Sequence, residues 1–567
     1  MQNESQPLKG GEEGGKAKPP HRPVAVVLQW IRDVILDRVV PNLEDFWRDR
    51  QLLVWLLALV IGAGAAYLAI GFRLAIGFIQ LPWLGTVSEQ VYTAALELAW
   101  WQIMLGPVIG GLIVGLFLQY MTTDKRVHGV SDVIEARALL GCQIPARAGI
   151  TSAIASAVSL GLGASAGREG PVVHMGATLA SVLEQRFRLP AASQRALLAA
   201  GVGAAVTASF NAPMAGVLFA HEVILGHYAL RAFVPIVISS VIATVISRVH
   251  LGDFPAFIIP EYQITTYWEF PAFALLGFVC AAVVIGFLLS IMAATRISQS
   301  VQMPLWLRPV LGGVIVGAIA IWFPHILGVG YDATDAALKQ QLPLWMMLGL
   351  LVAKTVATAI TLASRFGGGV FSPSLYLGAM AGGAFGLIAE NVFPIMTSSQ
   401  GLYAIVGMGA VAAGVLGAPI STTLIVFELT GGYEMTIALL LAVSISSGLT
   451  QAVYGQSFFH WQLTSRGIFL QEGPHKSIIR SLRVQAFMKA LAEDENPGTF
   501  EEDGETSCLK SDDTVETALR AFDRSGCERI AVVASDNSGR IIAWADRVDA
   551  LDALNDALIA AHEEEHR

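Results

Sequence analysis

The sequence predicts an all-α polytopic membrane protein with a small α/β unit at its C-terminal end. Composition is the first reason: of 567 residues, 54% are hydrophobic and only 14% charged, and mean hydropathy is +0.58. A soluble globular domain carries about 25% charge, so a soluble enzyme is excluded and no enzymatic activity is expected. Disorder as the main state is excluded too, because it needs low hydrophobicity. The second reason is a set of long apolar runs at 52–79, 103–120, 231–248, 271–294 and 345–363; a membrane span needs about 20 such residues. The third is segregated charge. From Val484 onward the chain has 20 acidic and 8 basic side chains, a balance of −12, against −9 for the whole chain, so the remainder is slightly basic.

In chain order, residues 1–22 read as a polar tail. Residues 24–50 mix apolar and charged side chains, as an amphipathic helix lying on the membrane surface does. Residues 1–50 therefore form an N-terminal segment ahead of a membrane body over 51–467, in halves of approximately 51–250 and 270–467. A linker follows over 468–507, acidic from 493 to 507. Residues 508–567 then form the α/β unit, with a helix over Thr514–Asp523, strands over Arg529–Ala534 and Ile541–Trp544, and a closing helix over Asp546–Leu558. A unit of this size buries little core alone. It is expected to pack against the membrane body or against its copy in a second subunit. The four cysteines (Cys142, Cys280, Cys508, Cys527) contain no CxxC pair, so neither a disulfide framework nor a zinc site is expected. No basic cluster points to nucleic acid.

Other apolar stretches are short and broken by Gly, Pro or charge: 148–164, 171–184, 196–209, 213–225, 401–416 and 418–430. Broken helices at matching places in two halves mark a midplane binding site in a transporter. The halves do match. Placing Pro171 on Pro373 sets GREGP (167–171) over GVFSP (369–373), an offset of 202. FNAPMAGVLFAHE ends at Glu222 and LGAPISTTLIVFE at Glu428, each glutamate nine residues after a proline, an offset of 206. Two landmarks in the same order argue for duplication.

Three glycine-rich stretches open helices inside this body, around Gly129 (HGVSD), Gly167 (GREGP) and Gly369 (GGGVFSP). Free N–H groups and the helix dipole at such starts form an anion site. A small anion held by dipoles can also leave again, as permeation requires. Glu169 lies inside GREGP. A carboxylate in a membrane needs a role or a partner. One reading pairs it with Arg168. The other makes it a gate, which mimics an anion when ionised and lets go when protonated.

These motifs, with the C-terminal unit, resemble the CLC family of chloride channels and chloride/proton exchangers over roughly residues 55–467 and the tail. The resemblance implies two inverted halves of tilted, discontinuous helices and a homodimer with one anion pathway per subunit. It makes Glu169 the external gating glutamate. It places anion contacts at Gly129, Gly167, Arg168, Gly170, Gly369, Val370, Phe371 and Phe459, with Val370 and Phe371 offering backbone N–H groups. Three departures stand out. Gly129 falls where the family usually has a serine hydroxyl, with Ser131 available only in a shifted register. Phe459 falls at the family's inner tyrosine, with Tyr454 as the neighbouring candidate. Val223 replaces the internal glutamate through which exchangers usually pass protons. Nearby, His221 has a ring suited to proton handling, whereas Glu222, like Glu428, matches a structural position.

The implied function is chloride transport, read first as a Glu169-gated channel. A chloride/proton antiporter lacking the internal glutamate is the alternative, and a secondary transporter of another anion the second alternative. The tail resembles a CBS domain, with Val484–Met488 as the start of a first copy cut short and 508–557 as the second. No cofactor is expected beyond bound chloride; some CBS pairs bind adenine nucleotide, but a structural role at the dimer interface is favoured. The expected location is a bacterial inner (plasma) membrane with both termini cytoplasmic.

Overall fold

The computed structural model describes residues 30–32, 34–48, 50–252, 264–394, 397–430, 433–470, 482–491, 508–533 and 540–566. The polar tail 1–22 and the acidic linker 493–507 lie outside the described residues. The chain forms two units, Met1–Val54 and Trp55–Arg567. In the first, a π-helical turn over Ile35–Val39 runs into α1 (Val40–Arg48). Trp30, Leu43 and Trp47 are exposed on this segment.

The first half of the membrane body contains α2 (Gln51–Leu84), α3 (Val91–Ala95), α4 (Trp100–Met121), α5 (Val130–Leu139), α6 (Ala146–Gly161), α7 (Glu169–Phe187), α8 (Ala191–Phe210), α9 (Pro213–Phe219) with a π-turn over Ala220–Leu225, and α10 (Leu230–Leu251). The second half contains α11 (Phe270–Ser300), α12 (Leu307–Trp322), α13 (Tyr331–Leu338), α14 (Leu344–Ala363), α15 (Phe371–Val392), α16 (Gln400–Leu416), α17 (Pro419–Thr430), α18 (Tyr433–Val453) and α19 (Phe458–Thr464). Among the described residues, seven helices are long and apolar enough to cross a membrane. All five long apolar runs lie in them. At 1.5 Å per residue the 34-residue α2 is about 50 Å long. That exceeds the ~30 Å hydrocarbon core, so it must tilt or protrude.

The short helices build the interior. Every residue of α16 is buried, as a helix apolar on all sides must be. Its packing repeats across the halves. A Cβ on Gly176 of α7 would strike the Gly201 carbonyl of α8, and one on Gly201 would strike the Gly176 carbonyl; Gly378 of α15 and Gly407 of α16 stand in the same reciprocal relation. Only glycine lets backbones approach this closely. The two glutamates matched in the sequence are exchanged between halves. Glu428 accepts from the N–H groups of Met214 (2.9 Å) and Ala215 (2.8 Å) at the start of α9. Glu222 accepts from those of Ile420 (3.0 Å) and Ser421 (2.8 Å) at the start of α17. Each half thus caps a helix of the other.

The C-terminal unit is a four-stranded sheet in the order β1-β4-β3-β2, with β1 Lys489–Ala490, β2 Leu509–Lys510, β3 Arg529–Val533 and β4 Ile541–Asp546. Helices α20 (Val515–Ser525) and α21 (Arg547–His566) accompany it. The helix and strands expected from the sequence are present. The boundary at 508 and the reading of Val484–Met488 as a separate truncated copy need correction. Val484 N–H donates to the Asp513 carbonyl, Lys489 pairs with Trp544, and Val484 shares one apolar core with Phe522 and Val532. The segment is the edge of this one sheet, and the charged linker interrupts a single unit rather than separating two.

Candidate anion site

Each half delivers one helix start to a common point. α7 begins at Glu169 and α15 at Phe371. Just ahead of them Gly167 and Gly369 form an antiparallel bridge, each N–H donating to the other's carbonyl at 2.7 Å. The two motifs matched in the sequence are therefore pinned together. A Cβ on Gly167 would lie 2.7 Å from Glu169 Oε2 and 3.0 Å from the Ser372 nitrogen, so the bridge needs glycine. It also consumes the N–H groups of Gly167 and Gly369. Beyond the bridge stand the N–H groups of Gly170 in the first turn of α7 and of Val370 and Phe371 at the start of α15. There no earlier helical carbonyl precedes them, and the positive end of the helix dipole adds to their pull.

The Glu169 carboxylate lies beside these helix starts, lining the same cavity as Gly170, Val370 and Phe371. The residue is 1% exposed. Its Oε1 accepts hydrogen bonds from the Tyr331 and Ser372 hydroxyls, both at 2.6 Å. Its buried Oε2 has no hydrogen-bond partner among the described residues. Arg168 Nε is 3.9 Å from Oε1, but the Arg168 guanidinium is bonded to Glu89, which Arg73 also contacts at 2.9 Å. Arg168 also lies over the Tyr331 ring, 5.0 Å from its centroid. The Arg168–Glu169 pair is thus secondary. One carboxyl oxygen is thus satisfied twice and the other is not.

Tyr331 opens α13, and its position is set from below. Lys354, fully buried on α14, donates to the carbonyls of Ile326 and Gly328, both at 3.0 Å. That anchors the turn leading into Tyr331. Sequence reading missed Tyr331, Ser372 and Lys354. Ser372 lay inside a motif already singled out. Tyr331 follows the glycine-broken stretch LGVGYD, the same signal as at the other three helix starts.

A cavity of about 150 Å³ leads to Glu169, room for an anion with several waters. Glu169, Gly170, Gly369, Val370 and Phe371 line it, together with Gly129, Ser131 and Phe459. Gly167 and Arg168 are not among the lining residues; Arg168 borders a separate cavity with Arg73 and Glu89. Gly129 is the N-cap of α5, and its N–H donates to Asp132 Oδ2 at 2.7 Å, so that donor is engaged. Ser131 Oγ donates to Gln462 at 2.9 Å. Tyr454 OH instead contacts Met292 Sδ at 2.8 Å and does not line the cavity. The arginines lining it are Arg126, Arg365 and Arg466, whose charge attracts anions to the cavity. They arrive from segments distant in sequence and were not foreseen.

His221, Glu222 and Val223 do not line this cavity. His221 is buried in the π-turn, with Nδ1 3.0 Å from the His227 carbonyl and its ring stacked on Tyr228. Glu222 is the interhalf cap, and Val223 packs half-buried against the core.

Duplicated, glycine-opened helix starts meeting inside a bundle of spanning helices define a polytopic membrane protein built to pass small anions. Comparisons with known proteins agree. A family model described as voltage gated chloride channel matches residues 110–451, and this chain belongs to that family, the CLC family. It is 34% identical over 392 residues to a putative chloride channel protein ClcB-like from Ralstonia nicotianae, covering 68% of this chain and 91% of the relative. It is 31% identical over 408 residues to the voltage-gated ClC-type chloride channel ClcB from Escherichia coli, covering 71% and 97%. Its fold matches the crystal structure of a slow cyanobacterial Cl⁻/H⁺ antiporter with a TM-score of 0.65 at 22% identity, covering 73% of this chain and 97% of that one. The two inverted halves expected from the sequence are this architecture.

Proposed function

We propose that this chain is a chloride channel gated by the Glu169 carboxylate. The observation that carries the reading is the carboxylate's place. It accepts from the Tyr331 hydroxyl at the start of α13 and from the Ser372 hydroxyl in the first turn of α15, where an anion would otherwise be held, and it lines the cavity. The channel reading over an antiporter draws support from Val223, which cannot carry a proton, and from Gly129 and Phe459, which put no hydroxyl constriction on the wall. The names of the ClcB relatives agree with it. Working as a homodimer with one pathway per subunit, in a bacterial inner membrane with both termini cytoplasmic, belongs to the same proposal.

The deciding measurement is the reversal potential of purified protein in liposomes under a chloride gradient, with and without an opposing pH gradient. A channel follows chloride alone. A shift with pH would establish proton coupling and overturn the channel reading.

The hydroxyls that hold the closed gate give a second test. A hydrogen bond to a charged group contributes about 1.5–3 kcal/mol, and 1.4 kcal/mol is a factor of ten. Tyr331→Phe is therefore expected to raise chloride flux at neutral pH by about tenfold. Ser372→Ala should act in the same direction. Unchanged flux in both variants would show that these bonds do not hold the gate.

A further inference from the structure

Val223 leaves the gate without the usual inner carboxylate, yet the cavity at Glu169 has a titratable wall. His128 immediately precedes the α5 N-cap. It lines the 150 Å³ cavity together with Glu169, and it also lines a second cavity of about 450 Å³ bounded by the loop 121–128, α5 and the start of α6. Its two ring nitrogens face different carboxylates. Nε2 is 3.1 Å from Asp124 Oδ2, on a side chain 43% exposed, and Nδ1 is 3.3 Å from Asp132 Oδ1. The ring stacks on that of His174 from α7, with centroids 5.4 Å apart and planes 18° from parallel. His174 is buried, and its Nδ1 has no hydrogen-bond partner among the described residues.

The surrounding charges separate two roles. Asp132 already serves Arg126 and Arg466, which leaves Asp124 as the carboxylate open to solvent. Partial burial works against ionisation of Asp124, but the Thr123 hydroxyl and the His128 and Arg126 charges outweigh it and hold the carboxyl below its usual range. Glu135 on α5 and Arg147 on α6 face the second cavity, and Arg365 faces the first across from His128.

We propose that His128 carries protons between the second, solvent-facing cavity and the Glu169 carboxylate, through water in the cavity both residues line. The inference rests on Glu169 being the gate. One ring nitrogen takes up a proton on the Asp124 side, and the other releases one to cavity water, which delivers it to Glu169 Oε2. This leaves the imidazole in the opposite tautomer; a ring flip, or proton exchange of both nitrogens with water, restores the first, and no bond other than those to hydrogen changes.

The test uses the full chain in planar bilayers, with chloride current recorded while the pH of each bath is changed separately between 5 and 8, the range in which histidine titrates. In His128→Gln the rate at which current responds to the bath on the second-cavity side is expected to fall by about tenfold or more, the scale of a lost proton-transfer group. The response to the opposite bath should stay as in the parent. Full current at acid pH shows that the variant is folded. Asp124→Asn should slow the same response, and it carries the test by itself if His128→Gln does not fold. Parent-like responses from both baths in these variants, with the response abolished in Glu169→Ala, would overturn the relay and leave the gate standing. A response that persists in Glu169→Ala would overturn the gate reading itself.

Discussion

Replacing Glu169 by alanine should give a chloride pathway that stays open and no longer responds to pH. The carboxylate is the one acidic group bonded to the hydroxyls of Tyr331 and Ser372 among the described residues, and it lies where the α15 start would hold an anion. In the proposed gating, the ionised carboxylate competes with chloride for those donors, and its removal leaves them to the ion. Chloride efflux from liposomes at neutral pH should rise by at least the roughly tenfold expected of Tyr331→Phe, because the variant removes the group that bond holds. Glu169→Gln separates charge from bulk. The amide keeps the size and loses the charge, so it should be as indifferent to pH as the alanine variant while conducting less. Efflux in Glu169→Ala that remained as pH-dependent as in the parent would end the gating account.

Gly378→Ala is expected to have the largest effect on folding. Its Cβ would enter the Gly407 carbonyl and press on the Met408 backbone. No side-chain rotation relieves such a clash, so α15 and α16 must separate along a fully buried interface. Overpacking a core costs about 1–3 kcal/mol where side chains can adjust, and a contact between two backbones belongs at or above that range. Against a total stability of about 5–15 kcal/mol, the yield of monodisperse protein in detergent should collapse. Gly286→Ala is the control, because nothing lies within 4 Å of a Cβ there. If the two variants were recovered equally well, the α15–α16 crossing would be looser than described.

Much of this was legible in the sequence, for identifiable reasons. Long apolar runs mark spanning helices because the bilayer demands length and continuity, and all five were found. Glycine-broken motifs mark internal helix starts, and Gly129, Gly167 and Gly369 each precede one. Offsets of 202 and 206 matched the residue pairs that the fold bridges at Gly167–Gly369 and exchanges as Glu222 and Glu428, though not the contacts themselves. What the sequence could not show is which distant groups converge. Tyr331 reaches Glu169 across 162 positions, and Arg466 reaches Asp132 across 334. No local period encodes such meetings. The same limit explains the edge strand Lys489–Ala490. Its partner β4 lies beyond the acidic linker, so a local reading assigned the segment to a separate copy.

The exchanged caps bear on how the protein is made. When the ribosome has finished α9 and the π-turn, the groups that Glu222 will satisfy do not yet exist; Ile420 is 198 residues away. At about 5–20 residues per second, some 10–40 s pass before that segment emerges. For that interval a carboxylate and the open end of α9 wait at the membrane without their final partners. The first half is therefore a provisional insertion, committed only when the second arrives. Chaperones and proteases that survey nascent membrane chains have their longest view of this protein before residue 420, and a slowed ribosome in the second half would prolong it.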